Sequence, residues 1–166
     1  MRPAAFVDDL REYRGDGRIE ETTVHSLYSA VPGYRVILPA ITPDPASETI
    51  FRLDALPPTK MRTIEFALQT DPPIDLKANA DKISLSLELR DQDGATVYRH
   101  SGITAQFVEP ALLSPHWNNI TAWRFGARSD FVPQPGKKYT LHVRYSTKNA
   151  MINPALTLIV WSGGVF

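Results

Sequence analysis

The sequence predicts an all-β fold, a single antiparallel β-sandwich of about eight or nine strands preceded by a short N-terminal helix or tail. Three observations predict it. From about Thr22 onward, apolar residues recur at every second position in short runs, the pattern of strands with one face buried and one in water. The 14 prolines of the 166-residue chain fall largely between those runs, where residues that cannot donate a ladder hydrogen bond belong. Asp91-Gln92-Asp93-Gly94 separates two strand-like runs, and Asp-Gly in that position is a strong hairpin signal.

In chain order, Phe6, Val7, Leu10 and Tyr13 fall on one side of a helix, with Pro3 near its start and Gly15 and Gly17 beyond its end. Residues 1–21 are therefore read as a tail or short helix, and residues 22–166 as the sandwich. Tyr34, Val36 and Leu38 alternate, followed by Ile50 to Leu53 and by Ile64, Phe66 and Leu68. These runs are bounded by Pro43/Pro45, Pro57/Pro58 and Pro72/Pro73. Ile83, Leu85, Leu87 and Leu89 give the cleanest period of two. The return strand is Thr96-Val97-Tyr98, whose register stays open because the apolar phase breaks at Arg99. Further strands are expected at Ile103 to Val108, Ile120 to Phe125, Tyr139 to Tyr145 and Ala155 to Trp161. In the run from Tyr139, the residues Tyr139, Leu141, Val143 and Tyr145 form the inner face, and Thr140, His142 and Arg144 form the outer one.

Composition excludes several functions. Lys+Arg 18 balances Asp+Glu 18, whereas a dedicated nucleic-acid binder concentrates positive charge to neutralise phosphates, so no nucleic-acid partner is expected. The absence of cysteine rules out disulfides, thiolate nucleophiles and Cys-ligated zinc or iron–sulfur centres. The nearest approach to a membrane span, Leu156 to Trp161, falls far short of the ~20 apolar residues required, so no transmembrane segment is expected. Arg2, Asp8, Asp9, Arg11 and Glu12 interrupt the apolar core that a secretory signal would need. The compartment stays open: a signal peptide removed upstream, or a lipid-bearing cysteine just before the first residue, would make the protein periplasmic or exported, and otherwise it is cytoplasmic.

The runs ISLSLELRDQDGATVYR, PGKKYTLHVRY and ALTLIVWSGG, between about Lys82 and Gly164, resemble the second half of immunoglobulin-like or jelly-roll sandwiches. Such sandwiches occur in small exported bacterial proteins, including lipoproteins and immunity-type proteins that block a secreted toxin. The resemblance covers about half the chain and implies a sandwich that binds another protein. It assigns no residue a role, because a hairpin turn and a Pro-Gly strand entry are consequences of sandwich building rather than of chemistry.

Chemical sites are sparse. His25, His100, His116 and His142 lack metal-ligand spacing, so neither metal nor cofactor is expected. His142, on the polar phase of its strand, is expected to face solvent. His100 and Ser101 are neighbours that a strand sends to opposite faces, and no Gly-x-Ser-x-Gly elbow exists. Asp91 and Asp93 are explained by the turn rather than by glycoside hydrolysis or calcium binding. Ser162-Gly163-Gly164 has no helix after it to bind phosphate. A non-catalytic protein is therefore expected.

Two stretches are candidates for binding. Between Thr121 and Lys148, the bases Arg124, Arg128, Lys137, Lys138, Arg144 and Lys148 face Asp130 as the only acid, a charge asymmetry that would steer an acidic partner. The loop from Pro110 to Asn119 is the longest non-alternating apolar segment. The residues expected to contact a partner are Leu112, Leu113, Trp117, Asn118, Trp123, Arg124, Arg128 and Arg144. They fit a protein partner, as for an immunity-type inhibitor occluding a bacterial toxin or effector. One alternative is a carbohydrate-binding module that stacks sugars on Trp117, Trp123 or Trp161. Another is a structural subunit of a secretion or phage assembly, associating through an edge strand or the segment Trp161 to Phe166.

Overall fold

The computed structural model describes residues 10–25, 30–57, 64–72, 74, 78–102, 106–108, 122–124, 131–148 and 153–161. Among these residues the chain forms ten strands: β1 (Arg18–His25), β2 (Ala30–Ile37), β3 (Thr49–Arg52), β4 (Glu65–Asp71), β5 (Ile83–Asp91), β6 (Thr96–Ser101), β7 (Gln106–Val108), β8 (Ala122–Arg124), β9 (Tyr139–Thr147) and β10 (Ala155–Trp161). Their order is β1-β2-β10-β4-β8-β7 in a six-stranded sheet and β3-β9-β5-β6 in a four-stranded one. The pairings are antiparallel. The all-β, sandwich-like architecture expected from the alternating runs is therefore present.

Alternation decides what the two sheets bury. Leu85, Leu87 and Leu89 of β5 and Leu141, Val143 and Tyr145 of β9 turn inward from the four-stranded sheet. Tyr34 and Val36 of β2, Phe66 and Leu68 of β4, and Leu156, Leu158 and Val160 of β10 turn inward from the other. Each such large apolar side chain removed from water contributes roughly 1.5–3 kcal/mol. The Phe66 ring stacks on Tyr98 of β6 across the sandwich, with centroids 5.5 Å apart and planes 10° apart. Buried tyrosines keep their hydroxyls satisfied: Tyr34 donates to the Pro57 carbonyl at 2.9 Å and Tyr145 to that of Pro154 at 2.7 Å. Burial pushes the Tyr145 phenol up to about 12.

The hairpin from β5 to β6 forms as expected. The Asp91 carboxylate accepts from the backbone amides of Asp93 at 2.9 Å and Ala95 at 3.0 Å, which accounts for the acid by turn geometry. A register irregularity between Leu89 and Arg90 explains why the return strand breaks phase in the sequence.

Two features depart from the sequence reading. β1 begins at Arg18, ahead of the boundary drawn at residue 22. Its RIEETTVH run has no apolar alternation to betray it; it is recruited by pairing along the whole of β2, with Glu20 opposite Arg35. The second feature lies in the predicted N-terminal helix. Residues 10–12 are helical, Phe6 and Val7 of the proposed helical face lie outside the described residues, and Tyr13 is packed into the core. From there the backbone lines up beside β3: the amide of Arg14 donates to the Asp54 carbonyl at 3.0 Å and that of Asp16 to the Arg52 carbonyl at 2.7 Å. The stretch from Tyr13 to Gly17 thus covers the β3 edge before the chain enters β1, which protects an otherwise open ladder.

Candidate functional site on the outer face of the four-stranded sheet

The outward phase of three strands creates a polar surface on the four-stranded sheet. β5 offers Ser86, Glu88 and Arg90, β9 offers Thr140, His142 and Arg144, and β6 offers Arg99 and Ser101. The register sets Glu88 between His142 and Arg99, and Ser86 between Arg144 and Ser101. Directly opposed side chains on one face of an antiparallel pair lie close enough to interact. Two small serines side by side, flanked by long side chains, leave a depression of about 170 Å³ lined also by Glu48 and Leu87.

Two carboxylates organise this face. Glu88 accepts from Arg90 Nε at 3.0 Å, Arg99 Nη2 at 3.3 Å and the Thr96 hydroxyl at 2.7 Å. The hydrogen bond from Arg90, then that from Thr96, outweighs the opposing effect of burial and holds the Glu88 carboxyl at about 2. Glu48, just before β3, meets His142 Nδ1 at 2.9 Å and Arg144 Nε at 3.2 Å. The His142 hydrogen bond, joined by the charge of Arg144, holds Glu48 below the ordinary carboxylate range. The side chains of Arg99 and Arg144 are largely exposed, at 68% and 62%, whereas Arg90 is 38% exposed.

These depressed carboxyls carry a pH prediction. A group with a lowered folded pKa stabilises the fold above its unfolded value and loses that contribution as pH falls through the folded one. For Glu88 the window runs from the ordinary 4.5 down to about 2, and Glu48 adds loss in the same direction. The urea midpoint is expected to hold steady from neutral pH to about 5 and to fall on further acidification. Glu88→Gln should flatten part of that fall. An acid limb of the same steepness in the variant would remove Glu88 from the account.

A larger depression of about 280 Å³ lies at one end of the sandwich, between the Asp91–Gly94 turn and Lys137–Lys138, with Phe131 and the exposed Val132 in its wall. Its Asp91 is already committed to the turn. The outer-face depression is the stronger candidate because its charged groups are held in place by one another and still reach solvent.

Of the residues expected to contact a partner, Leu112, Leu113, Trp117, Asn118 and Arg128 lie outside the described residues. Trp123 and Arg124 lie on β8, where Trp123 pairs with Leu68 and Phe107, and Arg124 with Ala67 and Gln106. Arg144 lies on β9, in the other sheet. The basic run read as one surface is therefore divided: its strands are near in sequence, but the chain changes sheets between them. Lys137 and Lys138 are exposed in the turn leading into β9. His142, expected to face solvent, does sit on the outer face, but its side chain is only 11% exposed because Glu48 and its strand neighbours enclose it. Glu48, Ser86, Glu88, Arg99 and Ser101 escaped the sequence reading. For Ser86 and Glu88 the signal was the polar phase of ISLSLELR, visible as alternation but mute about which polar residues would meet; Glu48, Arg99 and Ser101 lie outside the alternating runs.

Among the described residues, no group of three or more His, Asp or Glu side chains stands close enough to hold a metal ion, and no helix is long and apolar enough to cross a membrane. No protein-family model matches the chain, and no curated protein matches it. Solved structures give faint likenesses. An arabinose-bound α-L-arabinofuranosidase aligns at 9% identity and a TM-score of 0.34, over 95% of this chain and 24% of that one. The enzymatically active domain of tailspike protein 4 from bacteriophage CBA120 aligns at 10% identity and a TM-score of 0.33, over 95% of this chain and 20% of that one. The subviral-particle VP2 of infectious bursal disease virus aligns at 14% identity and a TM-score of 0.28, over 92% and 33%. The chain thus spans a third or less of each of these proteins. Likenesses at this level carry no functional argument, and the two-sheet antiparallel sandwich rests on the chain's own strand pairing.

Proposed function

We propose that the chain is a non-catalytic protein-binding module, of the kind in which an immunity-type protein occludes a bacterial toxin or effector, and that it docks through the outer face of the four-stranded sheet. One observation supports the reading above others: Arg99 and Arg144 rim a serine-floored depression with their side chains largely exposed, while Glu88 and Glu48 hold them in position. Arginines restrained in this way lose less side-chain freedom on binding, and arginine is enriched at interface hot spots. Ile50 on neighbouring β3, 53% exposed and opposite His142, adds an apolar contact beside the charges. An acidic partner surface fits this rim.

The test is affinity capture from the source organism, repeated with Arg99→Ala/Arg144→Ala. A retained partner is expected to bind at least tenfold more weakly to the double variant, since truncating a hot-spot arginine typically costs about 2 kcal/mol or more. Equal binding by both forms would overturn this face as the docking surface. Binding of the wild type to a glycan panel, with no retained protein, would favour the carbohydrate-binding alternative instead.

A further inference from the structure

Thr140 and His142 stand two residues apart on β9, so their side chains share one face. His142 Nε2 lies 3.1 Å from Thr140 Oγ1, and its Nδ1 lies 2.9 Å from Glu48 Oε1. Glu48 is in turn anchored by Arg144. An ionised carboxylate can only accept, so Nδ1 of the ring must carry the hydrogen. In the neutral ring the lone pair then sits on Nε2, and the Thr140 hydroxyl donates into it. A hydroxyl, a base within hydrogen-bond reach and a third group orienting that base form the arrangement that activates an oxygen nucleophile.

The surroundings suit the same chemistry. The enclosed His142 ring is held from both nitrogens, while Thr140 is half-buried and reachable from solvent. On β5, Glu88 stands opposite His142 and Arg90 opposite Thr140; on β3, Ile50 stands opposite His142 and Arg52 opposite Thr140. The arginines at the flanking register positions are each tied to a carboxylate, Arg90 to Glu88 and Arg52 to Asp54. Charged groups on the neighbouring strands include Glu48, Glu88, Arg90, Arg144 and Arg52 with its partner Asp54.

We propose that Thr140 is a covalent acyl-acceptor site, its hydroxyl activated by His142 and Glu48 to take an acyl group from an activated ester. Oγ1 attacks the ester carbonyl carbon as its proton passes to His142 Nε2. The bond from that carbon to the ester oxygen then breaks, and the departing oxygen takes the proton. The products are acyl-threonine and a free alcohol, with no change of oxidation state. This stoichiometric reaction goes beyond partner docking, although His142 and Glu48 also line the depression proposed for docking.

The test treats the whole chain with p-nitrophenyl acetate, following nitrophenol release and locating the acetyl group by peptide mass spectrometry. One acetyl per chain is expected on Thr140. Thr140→Val should remove that label and Thr140→Ser restore it. His142→Gln should slow labelling about a hundredfold, within the range of general-base assistance, and Glu48→Gln should slow it by releasing the ring from its orienting carboxylate. Thermal unfolding of each variant reports its folding separately. Acetyl found only on lysines or the amino terminus, or a folded His142→Gln protein labelled at the wild-type rate, would overturn the proposal and leave the three residues as a structural tie between β9 and the segment before β3.

Discussion

Phe66→Ala is expected to destabilise the fold by about 3–5 kcal/mol, the cost of emptying a large buried aromatic site. The ring is 1% exposed on the inner face of β4 and stacks on Tyr98 of β6, so one side chain spans both sheets. Truncation loses its transfer free energy, leaves a cavity and deprives Tyr98 of its stacking partner on an edge strand. Urea unfolding should show a lower midpoint with an unchanged slope, and the melting temperature should fall by roughly 6–20 °C for a domain of this size. Phe66→Leu, which refills part of the volume, should lose less. A loss below about 1 kcal/mol for the alanine variant, the scale of an ordinary surface change, would contradict the packing of the two sheets described here.

Gly17→Ala is the second large effect. Gly17 has φ +77°, a left-handed conformation that costs a residue with a Cβ about 1–3 kcal/mol. It also sits where the chain turns from the β3 edge into β1. A Cβ there would overlap the Ile37 carbonyl oxygen and crowd the Ile37 carbonyl carbon at 3.0 Å and Leu38 Cα at 3.1 Å. These are backbone atoms of β2 and the residue after it, so they cannot rotate away, and overpacking adds a further loss of about 1–3 kcal/mol. Gly94, with φ +84° and open space around its added Cβ, isolates the conformational part. The melting temperature should fall further for Gly17→Ala than for Gly94→Ala. Equal losses would mean that the contact with β2 contributes nothing.

The strands legible in the sequence were those whose two faces differ in polarity. β5 and β9 declared themselves because Leu85, Leu87 and Leu89, and Leu141 and Val143, alternate with polar residues and need a buried face. β1 did not, because RIEETTVH carries no apolar phase and is held largely by pairing with β2 and by Arg35, buried against Glu20 with bonds of 3.1 and 2.8 Å. The hairpin was legible because Asp91 and Gly94 satisfy local backbone demands within a few residues. The candidate site was half legible: the polar phase of β5 and β9 could be seen, but not its partners.

Local chemistry therefore determined the class of fold, the places where the chain turns, and which face of each alternating strand is wet. These follow from spacing and from the cost of burying polar groups, both of which are properties of neighbouring residues. Tertiary structure decided the rest. It put Arg124 and Arg144 in different sheets, brought Glu48 to His142 across 94 positions of sequence, and set Glu88 among Arg90, Arg99 and Thr96. Strand order and register fix these meetings, and both depend on contacts made between distant segments when the two sheets close over a shared core.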